Sequence, residues 1–475
     1  MLDAVVVGSG PNGLAAAVVL ARAGLGVTVL EAEPTVGGGA RTLDLGLAPG
    51  VMHDVCSAVH PMAWASPFFR AIRLDVELLT PEISYAQPLD GQPAALAFHD
   101  VDATAERLGT DGGAWRALVG GLARDWQAVT AVALGDKRSV PEGLVGPGAL
   151  AAAIRFGFGV LEQGTPAWDR RFEGPEARAL LTGVAAHTIT RLPSLSGAGT
   201  ALLLGALAHA DRGWPIPRGG SQSIVDALLL DLRAHGGDVV VSTPVRSRRD
   251  LPAARTYLFD TSPRGLLGIL GEDAPPSVRH RLSGFRYGDA AAKVDFVLSC
   301  PVPWADPDVG RAGTVHVGGT RDQMAHAEGQ VHAGRHAERP MVLVSDPAVV
   351  DPSREVAGRR PLWTYAHVPA GSDRDVTEAV TAQIERFAPG FRDVVVASRC
   401  VPAARMAEHN QNYVGGDIAA GAVTLWQLIA RPSLRVNPYR AGGRVYLCSA
   451  STPPGPGVHG MAGYHAARRV LREVF

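Results

Sequence analysis

The sequence predicts an α/β chain, α+β overall, whose parallel sheet draws strands from both ends of the polypeptide. Three observations carry this. Residues 4–33, AVVVGSGPNGLAAAVVLARAGLGVTVLEAE, read as strand, tight turn, helix and strand. Residues 444–471, RVYLCSASTPPGPGVHGMAGYHAARRVL, read as strand, Pro/Gly elbow and helix. Between them lies a mostly helical stretch, about 101–210, in which Trp115, Leu118, Val119, Leu122, Trp126 and Val129 share one helical face and PEGLVGPGAL (141–150) and EQGTPAWDR (162–170) are turn-rich breaks; a helix ending at Gly236–Gly237 and a strand to Val245 follow, then short apolar strands at Val294–Leu298, Thr314–Val317, Met341–Val344 and Trp363–Val368. With 475 residues, 46% of them apolar, the chain is long enough for more than one core, so two interleaved domains are expected.

The first unit is the most specific. A β-branched run, Val5–Val7, precedes Gly8, Gly10 and Gly13, and an Ala/Leu/Val helix leads to a second strand, Val27–Leu30. This is the Rossmann fingerprint in the strand–helix context that it requires. Gly8 permits the tight turn and Gly10 lets the backbone approach a pyrophosphate, with Ser9, Pro11 and Asn12 completing the turn. Gly13 lets the helix pack closely, so that its N-terminus faces the phosphates. Glu31, followed by Ala32, closes the unit 18 residues after Gly13, where a carboxylate accepts hydrogen bonds from ribose hydroxyls and repels a 2′-phosphate. The next segment, PTVGGGARTLDL, cannot continue a strand or helix through Gly37, Gly38 and Gly39. After Ala40 comes Arg41, the first cation past the fingerprint, placed either to meet the pyrophosphate bidentately or to lie free on a flexible loop.

At the other end GPGVHG (455–460) also matches GxGxxG, yet only 15 residues follow it, too few for the return strand and ribose carboxylate of a second βαβ unit. What remains is a strand (Val445–Cys448), an elbow containing Gly457, Val458 and His459, and a helix from about Met461. The amides at that helix start are suited to stabilise negative charge on a reduced flavin. One dinucleotide site assembled from both chain ends, with no second nucleotide domain, points to FAD.

These strings also carry a resemblance. The chain resembles the phytoene-desaturase-like FAD oxidoreductases of the amine-oxidase-like flavoprotein superfamily, and is similar to the branch named for a pyridine nucleotide-disulphide oxidoreductase domain (member 2). The stretches concerned run nearly the whole length: GSGPNGLAAA, VGGGARTL, SAVHPMAWASPFF (57–69), GWPIPRGGSQSIVDAL (213–228), DTSPRGLL (260–267), AAKVDFVLSCPVPW (291–304), HVPAGS (367–372), FAPGFRD (387–393), NYVGGDIAAGA (412–422) and SASTPPGPGVHGMAGYHAA (449–467). The resemblance implies a Rossmann-type FAD-binding domain (1–75, 213–288 and 425–475) with a discontinuous substrate domain of mixed sheet plus helices (76–212 and 289–424). It also implies that Val245 meets the adenine through its backbone. Disulphide reduction is not expected, because Cys56, Cys300, Cys400 and Cys448 are far apart and form no CxxC.

Flavin chemistry asks for few side chains beyond those that position substrate and exclude water. Lys293 opens a strand after small residues, and the resembled superfamily often places there a lysine that holds a water near flavin N5. Such a buried lysine could serve as a base, or the residue could be an ordinary strand-end lysine. The resemblance puts His459 against the cofactor, where it would hydrogen-bond the flavin or touch substrate. His60, in SAVHP, either lines the cavity or is structural. Trp363, Tyr365 and His367 alternate on one strand and share a face, as an aromatic wall or as core. No HExxH, Cys/His cluster or EF-hand loop occurs, so no metal is expected.

A net charge of −1 gives no reason to expect nucleic acid. No uninterrupted apolar run of about 18 residues occurs, and the scattered cysteines suit a reducing compartment, so the expected location is cytoplasmic. The expected partner is a small apolar molecule such as an isoprenoid, polyene or acyl chain, with peripheral contact to a membrane surface allowed, although no extended amphipathic docking helix is identified. Desaturation leads; isomerisation or saturation, amine oxidation and a non-enzymatic FAD-stabilised interaction role are the alternatives, and oligomeric state is open.

Overall fold

The two ends of the chain meet in one sheet. In the computed structural model, which describes residues 2–141, 144 and 146–475, strand β1 (Leu2–Val7) lies between β2 (Val27–Leu30) and β6 (Ala254–Phe259). The sheet continues through β13 (Val445–Leu447) and the antiparallel edge strand β12 (Arg440–Gly442) on one side and β5 (Asp238–Val240) on the other. Ala4, Val5 and Val6 are fully buried, as a parallel strand covered on both faces demands. Ala4 and Val6 pack with helices α1 (Pro11–Arg22), α6 (Gln222–Ala234) and α8 (Met461–Glu473); Val5 and Val7 pack with Phe259, Leu266 and Leu282. The terminal helices touch at a glycine: a Cβ on Gly463 would come within 1.8 Å of the Asn12 carbonyl oxygen, so no larger residue fits between α8 and α1.

The second sheet contains β3 (Ile83–Leu89), β4 (Gln92–Phe98), β7 (Ala290–Leu298), β8 (Val315–Val317), β9 (Val342–Ser345), β10 (Arg360–Val368) and β11 (Val395–Val401), in the order β11-β7-β10-β9-β8-β3-β4. Only β3 and β8 pair in parallel. One face, with Val294, Phe296, Val342 and Ala366, closes an apolar core. On the other, Lys293, Tyr365, Leu343 and His316 stand in one cross-strand row, and the helical layer packs there, including α4 (Pro175–Ala185) and α5 (Leu195–Ala208). Trp115, Leu118, Val119, Leu122, Trp126 and Val129, expected on one helical face, are all buried, the last two on α2 (Trp126–Ala133).

Three expectations change. The strand expected to reach Val245 ends at Val240: Ser242 turns with φ 52°, and the Thr243 N–H donates to the Glu31 carbonyl at 2.7 Å. The break expected over PEGLVGPGAL (141–150) lies partly outside the described residues, and from Pro147 it is helix α3 (Pro147–Gln163), with proline in its first turn. Finally, α3 is an apolar stripe turned outward: Leu150, Ile154, Phe158 and Leu161 are each more than half exposed, because the buried side consists of small or polar residues, Ala152, Gly159 and Gln163. Trp426 on α7 (Leu425–Ala430) and Val436 are exposed as well. No extended amphipathic docking helix was identified from the sequence, since 141–150 reads there as a turn-rich break. Among the described residues no helix is long and apolar enough to cross a membrane.

Candidate functional site

A cavity of about 940 Å³ runs from the β1–α1 turn to the second sheet. Its first half is made mostly of backbone. Gly8 adopts φ +98°, and a Cβ on Gly13 would lie 2.2 Å from the Gly8 carbonyl oxygen, so the turn closes only with glycine at these positions. Gly10 precedes α1 in extended conformation with Pro11 next and supplies no capping side chain of its own, while the Gly13 N–H in the first turn is taken by Asp260. Glu31, at the end of β2, accepts hydrogen bonds from the Ser9 N–H (2.8 Å), the Ser9 hydroxyl and the Glu33 N–H (2.9 Å). Thr243–Arg246 return beside it, bringing Val245 to the cavity although it lies beyond β5. Of the sequence-derived cradle, Gly8, Ser9, Gly10, Pro11, Asn12, Glu31, Ala32, Gly38, Gly39, Ala40, Arg41, Val245, Gly457 and Val458 line the cavity; Gly13 and Met461 stand behind it.

Arg41 is buried and held by protein oxygens: Nε donates to the Gly38 carbonyl (2.9 Å), one terminal nitrogen to Thr35 Oγ1 (3.2 Å) and the other to the His409 carbonyl. It is therefore not a free surface arginine. Around it, Asn12 Oδ1, Thr261 Oγ1 and His409 Nε2 are buried without partners, and all three residues line the cavity. Unpartnered buried polar atoms beside a glycine turn and a helix N-terminus fit a dinucleotide with ribose hydroxyls and a pyrophosphate.

Three side chains expected to be catalytic separate. His60 lines the cavity; its Nε2 lies 2.8 Å from Ser221 Oγ, and burial lowers its pKa to about 4, so the ring is neutral at physiological pH. His459 does not line the cavity. Its Nδ1 accepts the Met461 N–H at 3.0 Å, which fastens the start of α8, and burial again lowers it to about 4. The expected flavin or substrate contact is thus replaced by a turn inside the elbow. Lys293 is buried within β7, not at a strand end, and is ion-paired with Asp295, two residues on along the same face. It does not line the cavity; its ammonium nitrogen sits 5.2 Å from the centroid of the Trp363 ring, and that ring does line it. Trp363 and Tyr365 meet edge to face at 5.1 Å on the cavity wall, whereas His367 is buried behind them against Glu328.

The comparisons with known proteins agree with this architecture. The NAD(P)-binding Rossmann-like domain family matches residues 6–71. Pyridine nucleotide-disulfide oxidoreductase domain-containing protein 2 of Rattus norvegicus is 25% identical over 348 residues, covering 64% of this chain and 60% of the rat protein, so the match spans about three fifths of that relative. An uncharacterized protein of Mycobacterium tuberculosis (strain H37Rv) is 26% identical over 535 residues, 99% of this chain and 97% of its own length. Cyclohexylamine oxidase from Brevibacterium oxydans superposes with a TM-score of 0.60 at 15% identity over 99% of both chains. A putrescine oxidase variant reaches 0.61 at 17%, over 100% of this chain and 98% of its own. The fold is that of the flavin amine oxidases. FAD is the cofactor to which this fold and cradle correspond.

Sequence reasoning missed several groups of this site. Asp260, just past β6, accepts the Gly13 N–H at 2.9 Å, and its carboxylate would meet a Cβ on Gly10 at 2.5 Å. Burial, reinforced by the nearby Glu31 charge, raises its pKa to about 7. The signal was present in DTSPRGLL, a carboxylate directly after a strand that pairs with β1. The loop 409–415 folds over the Gly38–Arg41 turn: Asn412 accepts the Ser262 N–H (2.7 Å) and donates to the Asp260 carbonyl (3.0 Å), and the Tyr413 hydroxyl occupies the space that a Cβ on Gly39 would need. His187 and Trp214 reach the cavity from the helical layer and the segment after it, with no local motif to announce them.

Proposed function

We propose that this protein is an FAD-dependent oxidoreductase that dehydrogenates a largely apolar substrate of the isoprenoid, polyene or acyl class. The observation that carries the reading is the lining beyond the cradle: Val59, Met62, Leu204, Trp214, Leu343 and Ile418, with no carboxylate among them. When bound, FAD supplies a hydride acceptor. The protein's part is to hold and enclose. The glycine turn and Glu31 would fix the nucleotide, Arg41 and the start of α1 would face the pyrophosphate, and Gly457 and Val458 would border the ring end. Apolar walls exclude water from the reacting C–H bond. Lys293 acts on this reading through the Trp363 ring that it supports, as a positioning residue paired with Asp295. The 1–75, 213–288, 425–475 division into an FAD domain, with the remainder forming the substrate domain, belongs to the same proposal.

The outward stripe on α3, together with Trp426 and Val436, supports peripheral contact with a lipid surface, from which an apolar substrate can enter without any spanning segment. The Trp363–Tyr365 pair favours a second reading, amine oxidation, which the amine oxidases of the same fold also support. Anaerobic titration of the holoprotein with polyenes, acyl chains and primary amines tests both. Bleaching of the flavin bands by an apolar alkene or acyl chain is the expected result; bleaching by amines alone would replace the first reading with the second. Lys293→Met is expected to retain FAD and to slow that bleaching, and an unchanged rate would return the lysine to a purely structural role.

A further inference from the structure

Within the apolar part of the cavity His187 has a distinctive setting. Its Nε2 lies 2.8 Å from Nε2 of His316 on β8, with the rings perpendicular, and Trp214 meets it edge-on at 5.8 Å. The Trp214 indole N–H is already committed to the Leu204 carbonyl at 2.9 Å. Burial lowers His187 to about 3 and takes His316 well below the ordinary range. Two neutral imidazoles sharing one hydrogen bond must divide it, one ring donating and the other accepting.

Gln87 decides the direction. Its amide nitrogen donates to the Gly319 carbonyl at 2.9 Å, so its Oε1 is the accepting end. That oxygen and His316 Nδ1 are both buried, both unpartnered, and both abut Gly183, where a Cβ would come within 2.5 Å of the one and 2.7 Å of the other. The two form no hydrogen bond, but an acceptor oxygen on that side disfavours a second lone pair facing it and so favours the His316 proton on Nδ1. His316 Nε2 is then an acceptor, His187 donates to it through Nε2, and His187 Nδ1 is left as a bare acceptor on a ring that lines the cavity. No described residue bonds that nitrogen. The charged residues lining the cavity are Glu31, Glu33, Asp260, Arg41, Arg246 and Arg264, all in the nucleotide half, so neither an ammonium nor a carboxylate would find a counterion beside His187.

We infer that His187 is the polar anchor of the substrate site, accepting a hydrogen bond from a neutral hydroxyl group on an otherwise apolar substrate. His316, Gln87 and Gly183 are positioning residues that set its tautomer. The inference rests on the apolar-substrate reading above and names the one polar group such a substrate would carry.

The test is calorimetric titration of the FAD-loaded protein with four probes: 1-octanol, octyl methyl ether, octylammonium chloride and sodium octanoate. Octanol is expected to bind about ten-fold more tightly than the ether, which cannot donate, and both ions more weakly than the ether. His187→Phe is expected to bring octanol to the level of the ether while leaving the ether and the FAD content unchanged, and His187→Gln to restore part of the preference. Equal affinity of octanol and ether for the wild-type protein, or a preference surviving in His187→Phe, overturns the inference. If His187→Phe does not fold, Gln87→Leu, which alters no lining residue, is expected to erase the preference, and its persistence there overturns the inference equally. Failure of all four probes to bind would instead sink the apolar-substrate reading itself. Tight binding of octylammonium alone would overturn both in favour of an amine.

Discussion

The two halves of the cavity are built on different principles. The nucleotide half is backbone and short-range sequence: Gly8–Asn12, Glu31–Glu33 and Gly38–Arg41 lie within the first 41 residues and owe their positions to turns that only glycine can make. The substrate half is side chain and long-range topology: Met62, His187, Leu204, Trp214, Leu343, Trp363 and Ile418 come from segments spread over some 350 residues and meet only when the second sheet and the helical layer pack. A site made of backbone constraint leaves its signature in residue order. A site made of converging side chains leaves almost none.

The largest expected effect breaks the first half outright. Gly13→Val places side-chain atoms into the Gly8 carbonyl and the Asp260 carboxylate, and purified protein is expected to carry no FAD, read as the ratio of flavin to protein absorbance. Recovery of full flavin content would mean that the turn is not the dinucleotide site. A second test reaches across both halves. His60 and His459, each at about 4, and His316, taken well below the ordinary range by burial, are neutral in the fold, whereas unfolded histidines sit near 6.5, so the unfolded chain binds the extra protons as pH falls. Stability is therefore full above 6.5 and declines below it, by about 1.4 kcal/mol per pH unit for each histidine. Thermal melts at pH 7 and pH 5 should differ sharply, and replacing His60 by Gln should shrink the difference.

Smaller effects sharpen the contrast. Glu31→Ala is expected to weaken FAD retention by about 1.5–3 kcal/mol, measured by equilibrium dialysis, with no change in octanol binding. In the apoprotein burial raises Asp260 to about 7, so an entering pyrophosphate meets less repulsion at pH 6 than at pH 8. Affinity of the apoprotein for FAD should rise by up to about ten-fold per pH unit on acidification through that range, and Asp260→Asn should flatten the slope. Least disruptive is Phe158→Glu on the exposed face of α3, which should leave flavin content and melting unchanged yet reduce co-sedimentation with phosphatidylglycerol-containing vesicles.

Legibility follows the same divide. The fingerprint, the elbow and the start of α8 at Met461 could be read because turn chemistry is local. Four strands of the second sheet were visible as apolar runs, but Ile83–Leu89 and Gln92–Phe98 were not, since their alanines, glutamines and prolines weaken the alternating pattern. His459 misled for a physical reason: a histidine beside three glycines looks exposed to a ligand, whereas its ring folds back onto the Met461 amide. Lys293 misled differently: Asp295, two residues on along the strand, shares its face and claims it, a pairing that the sequence reading did not weigh. Asp260 was overlooked because its meaning depends on a strand pairing 250 residues from the glycines it meets.

That pairing has a consequence for biosynthesis. As the polypeptide leaves the ribosome, β1 and α1 precede the elements that cover them: β1 waits for β6, some 250 residues later, and α1 waits for α8, more than 400 residues later. During that interval the Ala/Leu/Val side of α1 stays uncovered, and a nascent chain halted short of Gly463 would present it to chaperones and proteases rather than to a cofactor.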